Sequence, residues 1–277
     1  MQLMRTLLLS LVFLFQVVLV GSEWRLVWSD EFEVEGRPDA TKWGYEEGFV
    51  RNEELQYYTR DREENARVEG GNLVIEGRRE RFENANYRAD APERRWQQRR
   101  AVAEYTAASL TTRGKAAWTY GRVEVRAKLP SGRGTWPAIW MLGTNIGEVG
   151  WPACGEIDIM EHVGSEPDAV HANVHTRDYN HVRGTGRGQR LAFPGVEDDF
   201  HVYRVDWSPE KLEFFVDGRL FFTCANNGEG VGAWPFDAPQ YLILNLAIGG
   251  SWGGAKGMDP GAFPQKFLID YVRVYQR

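Results

Sequence analysis

The sequence predicts an all-β fold, an antiparallel two-sheet sandwich built as one domain over residues 23–277. Three observations predict it. Short runs alternating between apolar and polar residues recur along the chain, and no stretch sustains a helical period. Thirty glycines and twelve prolines among 277 residues supply frequent turns. Asp217-Gly218, lying between Phe215-Val216 and Leu220-Phe221, is a two-residue hairpin signal, since both residues tolerate positive φ. About a dozen strands without intervening helices must bury their apolar faces against one another, which makes two stacked sheets.

In chain order, residues 1–22 read as a leader. Arg5 supplies a positive start, Thr6 to Val20 is an almost unbroken apolar run, and Val20 and Ser22 are small residues suited to cleavage. About 15 apolar residues is short for a membrane span, so a secretory signal peptide is expected, with the mature form free of the membrane. The protein is then secreted, extracellular or periplasmic. Strands are expected over Trp24–Trp28, Asn72–Glu76, Arg122–Leu129, Pro137–Leu142, Gly155–Glu161 and Val170–Thr176. Others follow over His201–Trp207, Leu212–Val216, Leu220–Cys224, Tyr241–Ile248 and Phe267–Tyr275. The charged segment Arg78–Arg100, with its Arg94-Arg95 and Arg99-Arg100 doublets, reads as a solvated hairpin or loop; the alternative is a patch for an anionic ligand.

Composition narrows the function. With 43% hydrophobic and 26% charged residues, neither a disordered chain nor a multi-pass membrane protein is in question. A formal charge of −6 argues against nucleic-acid binding. Eleven tryptophans and eleven tyrosines suit stacking on sugar faces, although aromatic-rich strands would also use them. Cys154 and Cys224 cannot hold a zinc or iron–sulfur site unaided. Buried free thiols are favoured over a bridge between them.

The chemistry concentrates in Gly155-Glu156-Ile157-Asp158-Ile159-Met160-Glu161-His162. Strand alternation puts Glu156 and Asp158 on one face, but Glu161 comes three positions later and would point the other way. A β-bulge at Met160 would return it to the side of its neighbours. Carboxylates so close raise one another's pKa, so one should keep its proton near neutrality while another is ionised. Retaining glycoside hydrolysis needs that division. With the bulge, Glu156 and Glu161 lie about 13 Å apart at Cα. Side chains each reaching about 4 Å inward leave roughly 5 Å, a retaining rather than an inverting separation. A solvated acidic face and a calcium site are the alternatives.

This stretch, with Gly134-Thr-Trp136-Pro-Ala-Ile-Trp140-Met-Leu-Gly143 before it, resembles glycoside hydrolase family 16, and most of all its bacterial laminarinases, which carry the bulged E-x-D-x-x-E motif. The similarity extends through Trp28-Ser-Asp-Glu31-Phe32, Asn52-Glu-Glu-Leu-Gln-Tyr-Tyr-Thr59, Tyr120 to Lys128, Asn245 to Gly250 and Asp270 to Tyr275. It implies a β-jelly roll with an open concave cleft. It also implies a monomeric endo-1,3-β-glucanase acting on laminarin-type glucans without a catalytic cofactor. Glu156 matches the nucleophile, Glu161 the general acid/base and Asp158 the assisting carboxylate.

The resemblance further implies that Asn52 contacts sugar on the non-reducing side of the cut and that His175 positions the acid/base or the sugar. Trp136, Trp140 and Trp252 match aromatics packing on glucose rings, against which stands an ordinary core role. His171 and His175 share a strand face, so a zinc pair is a further alternative. Ser109 stands where laminarinases often carry arginine, and Arg113 is a candidate replacement. A structural calcium is implied at Glu31, the Gly71 carbonyl and Asp270; a carboxylate satisfied by backbone amides would explain Asp270 equally well. Another polysaccharide such as agar, or a non-catalytic β-glucan-binding module, remains the alternative function.

Overall fold

Apolar side chains at every second position give a strand one face that must leave water, and stacking two sheets on such faces satisfies both. A computed structural model describes residues 23–277; the expected leader lies outside the described residues. The strands, in order, are β1 (Arg25–Asp30), β2 (Gly44–Tyr45), β3 (Gln56–Tyr58), β4 (Ala66–Glu69), β5 (Asn72–Glu83), β6 (Val102–Ala107), β7 (Ser109–Thr111), β8 (Gly121–Lys128) and β9 (Thr135–Gly143). They continue with β10 (Glu156–Glu161), β11 (Ala169–His175), β12 (Arg187–Ala192), β13 (His201–Trp207), β14 (Lys211–Val216), β15 (Arg219–Ala225), β16 (Gln240–Ile248) and β17 (Gln265–Gln276).

Seven strands form one sheet in the order β12-β11-β10-β9-β16-β7-β2. The other runs β15-β14-β13-β8-β17-β5-β6-β3, with β1 added beside β17 and β4 beside β5. Between them lies the main core. Ile139, Met141, Ile157, Val174 and Leu244 from the first sheet meet Val125, Val205, Phe214, Ile269 and Val274 from the second, all essentially inaccessible. Each such side chain contributes about 1.5–3 kcal/mol by leaving water. Asp217 and Gly218 both take positive φ in the two-residue turn joining β14 to β15, as expected.

The expected strands are all present, some longer, and six more appear. The extra ones carry weak signals: β3 is buried throughout, and β12 is a largely exposed edge with no apolar alternation. Pairing is antiparallel except for β3 with β6, a short parallel ladder that the sequence reading did not anticipate. The segment Arg78–Arg100 is also more ordered than a loop. Its first part extends β5 to Glu83, and Trp96–Arg99 forms one helical turn. Both cysteines are buried free thiols, Cys154 outside the main core and Cys224 within it.

Candidate active site

The expected bulge is present. On β9, Glu156, Asp158 and Glu161 stand opposite Leu142, Trp140 and Ala138. On β11 they stand opposite His175, Asn173 and His171. Every one of these partners is an even step from the next, so the three carboxylates share one face, turned away from the main core. Ile159 and Met160 together take the space of one residue, and both side chains enter the core at 1% exposure. Two consecutive apolar residues facing inward are what the extra residue requires, and burying both stabilises it. Gly155 lets the chain enter β10: its φ is +80°, and a Cβ there would come within 2.8 Å of Pro235.

The same face collects the surrounding polar groups. Trp151 Nε1 donates to Glu156 Oε2 at 2.9 Å. Glu161 is held at both oxygens, by Trp136 Nε1 at 3.1 Å and by Asn173 Nδ2 at 2.8 Å. His175 Nε2 lies 3.3 Å from Asp158 Oδ2 and 3.7 Å from Glu156 Oε1. Asp158 Oδ2 itself is buried without a hydrogen-bond partner.

Burial raises the pKa of all three carboxyls, most plainly because an ionised group loses its water here. Glu156 is pushed up to about 8, by burial first and by the Asp158 charge second, while His175 and the Trp151 N–H pull it down. Asp158 is raised well above the usual carboxylate range by burial and by Glu161. Glu161 is raised by burial but drawn down by Asn173 and Trp136. Negative charge is therefore best accommodated where N–H donors point, on Glu156 and Glu161, and worst on Asp158. Burial and mutual repulsion thus favour the protonated forms within the trio, Asp158 most of all.

A second stitched region borders this face. Asn52 and Glu53 both adopt left-handed backbone, with φ of +53° each, a strained pair for non-glycine residues. It is held in place: Ser251 N donates to Asn52 O at 3.0 Å, and Leu55 N to Ile248 O at 2.8 Å. Asn52 Nδ2 and Gln56 Nε2 both bond Glu54, and Ile248 N donates to Gln56 Oε1. The Asn52-to-Thr59 and Asn245-to-Gly250 motifs are thus one structural unit.

The expected aromatics divide. Trp136 is 9% exposed and spends its N–H on Glu161. Trp140 is 7% exposed; its N–H reaches Asn245 Oδ1 at 2.7 Å, and the Arg51 guanidinium covers its ring at 4.8 Å. Trp252 is half-buried, edge-on to Trp136 and to His171, and is the most accessible of the three. Sequence reasoning missed Asn173, Trp151 and Arg51. Asn173 was within reach, since it lies two residues from each histidine on the same face. Arg51 pairs with Glu46, whose other oxygen accepts from Ser109 Oγ at 2.7 Å. The cation near Ser109 is therefore Arg51, whereas Arg113 lies over Tyr241.

His171 turns to Glu166 at 3.5 Å, with Asn173 between it and His175, so the two histidines make no zinc pair. Glu31 forms a two-pronged pair with Arg273, and Asp270 bonds Arg126 at 2.6 Å. Gly71 sits in the turn between β4 and β5. Both carboxylates of the expected calcium set are thus ion-paired with arginines in this structure. Among the described residues, Glu156, Asp158 and His175 alone offer three metal-ligating side-chain atoms within 4.8 Å of one another.

The profile of Glycosyl hydrolases family 16 matches residues 62–273. The chain belongs to that family. It is 52% identical to a β-glucanase of Rhodothermus marinus over 91% of this chain and 85% of that protein. Among solved structures, the R. marinus laminarinase superposes with a TM-score of 0.81 at 52% identity, covering 92% of this chain and 98% of the other. A non-specific endo-β-1,3(4)-glucanase of the family, crystallised with a glucan oligosaccharide at its active site, gives a TM-score of 0.83 at 47% identity, covering 92% and 96%. Family 16 membership makes the fold a jelly roll and the chain a glycoside hydrolase, with no catalytic cofactor needed. The alternative of a non-catalytic module is set aside.

Proposed function

We propose that this family 16 hydrolase is a secreted, retaining endo-β-1,3-glucanase that cuts laminarin-type chains internally and accepts mixed 1,3-1,4 glucan as well. The observation that carries the reading is the bulge at Ile159–Met160, which sets Glu156 and Glu161 on one open face with Asp158 between them. The close relatives act on β-glucans, one of them described as non-specific between 1,3 and 1,4 linkages. The apolar run over residues 6–20 supports export.

In this reading Glu156 attacks the anomeric carbon and Glu161 gives its proton to the departing oxygen, leaving a glycosyl ester on Glu156. Glu161 then takes a proton from water, which attacks the same carbon from the vacated side and restores the original configuration. Asn173 and Trp136 hold both oxygens of Glu161 in place through these proton transfers. Trp151 orients the Glu156 carboxylate, and Asp158 with His175 adjusts how easily Glu156 stays ionised. NMR of the first product formed from laminarin is the test. A β-anomer supports double displacement, an α-anomer refutes it, and activity on agarose without activity on laminarin would overturn the substrate.

A further inference from the structure

The doublets Arg94-Arg95 and Arg99-Arg100 have no part in the hydrolysis described so far. Their surroundings show a built element. Asn84 Nδ2 donates to the carbonyls of Gln97 and Arg100 at 2.8 and 2.7 Å, closing residues 84–101 into a knuckle. The Arg88 N–H donates to the Gln98 carbonyl at 2.8 Å, which joins its two arms. Gln97 Nε2 and Arg100 Nη1 reach the carbonyls of Val50 and Glu54, and Trp96 packs on Phe49. The knuckle is therefore fastened to the strained Asn52–Glu53 turn that borders the catalytic face.

It gathers several unpaired cations in one element. Among the described residues Arg88, Arg94 and Arg95 have no carboxylate within 4.0 Å, as also holds for arginines scattered elsewhere such as Arg25, Arg79, Arg133 and Arg219. Arg99 has only Glu93 at 3.6 Å, and that glutamate is 94% exposed. Arg88, Arg94, Arg95 and Arg99 are all exposed, and Tyr87 beside them is 39% exposed. Arg95 and Arg99, four apart across a helical turn, repel one another. Exposed like charges held on an anchored element set up a local positive potential in a chain of net charge −6.

We propose that this knuckle is an anion-binding extension of the substrate face, taking the carboxylate or sulfate-ester groups of an acidic glucan. The inference rests on the glucanase reading for the polymer backbone and adds its charged decoration. Guanidinium forks match carboxylate and sulfate oxygens in pairs, and the exposed Tyr87 ring offers a sugar-stacking face. Of the groups described at this face, the knuckle's guanidiniums are where the charge of an acidic chain can be met.

The test compares neutral laminarin, carboxymethylated 1,3-β-glucan and sulfated 1,3-β-glucan, using the full protein and the triple variant R94E/R95E/R99E. The variant should keep kcat and KM on laminarin. Its KM on either charged polymer should rise by roughly fivefold or more, and the difference should vanish in about 0.5 M salt, where exposed charges are screened. A rise on one charged polymer alone assigns the knuckle to that group. Equal KM changes on all three polymers, or none on the charged ones, overturns the proposal. Failure on laminarin in the unsubstituted protein would instead refute the glucanase reading.

Discussion

Replacing Asn173 by alanine removes one hydrogen bond from the group that must both give and take a proton. Asn173 Nδ2 lies 2.8 Å from Glu161 Oε2, while the other oxygen keeps its 3.1 Å bond from Trp136. A hydrogen bond to an ionised group is worth about 1.5–3 kcal/mol, and about 2 kcal/mol corresponds to a factor of roughly thirty in the ratio of ionised to protonated Glu161. The donor favours the ionised form, so its loss favours the protonated form and moves the carboxyl further upward than burial already does. Because the first step needs Glu161 protonated, the alkaline limb of kcat/KM should move to higher pH. At the optimum kcat should fall about tenfold or more, since the carboxyl loses one of two orienting contacts. Reducing-sugar release from laminarin across a pH series gives both readings. An alkaline limb that stays fixed, or moves to lower pH, would refute the assignment of Glu161 as the acid held by Asn173.

Glu156→Gln should lose turnover by several orders of magnitude while laminarin binding by calorimetry persists; undiminished turnover would remove Glu156 from the nucleophile's role. Asp158→Asn should abolish most activity yet stabilise the fold at neutral pH. The folded-state pKa of Asp158 is raised, so its ionisation weakens the native state as pH climbs from the ordinary carboxylate range toward the raised value. The variant's melting temperature should match the parent at about pH 3 and exceed it by about 2–4 °C or more at about pH 8. A gap that shrinks with rising pH would contradict this. Gly155→Ala should lower the melting temperature by about 4 °C or more, because left-handed backbone with a Cβ costs about 1–2 kcal/mol and Pro235 stands in the way. An unchanged melting curve would show that the turn relaxes freely.

Much of this site is legible in the order of residues alone. A strand repeats every two positions, so a third acid three places on demands an irregularity, and the inward-facing pair Ile159–Met160 supplies it. The class of fold follows from the same periodicity and from turns such as Asp217-Gly218. Tertiary structure alone decided which groups on neighbouring segments meet the carboxylates. The pairing of β9 and β11 with β10 brings Trp136 and Asn173 to Glu161, the segment before β10 brings Trp151 to Glu156, and Arg51 rather than Arg113 became the cation near Ser109. It also gave Glu31 to Arg273 of β17 and Asp270 to Arg126 of β8. The reason is range: backbone alternation is local and written residue by residue. Hydrogen bonds and ion pairs form only between groups that packing two sheets brings within a few ångströms.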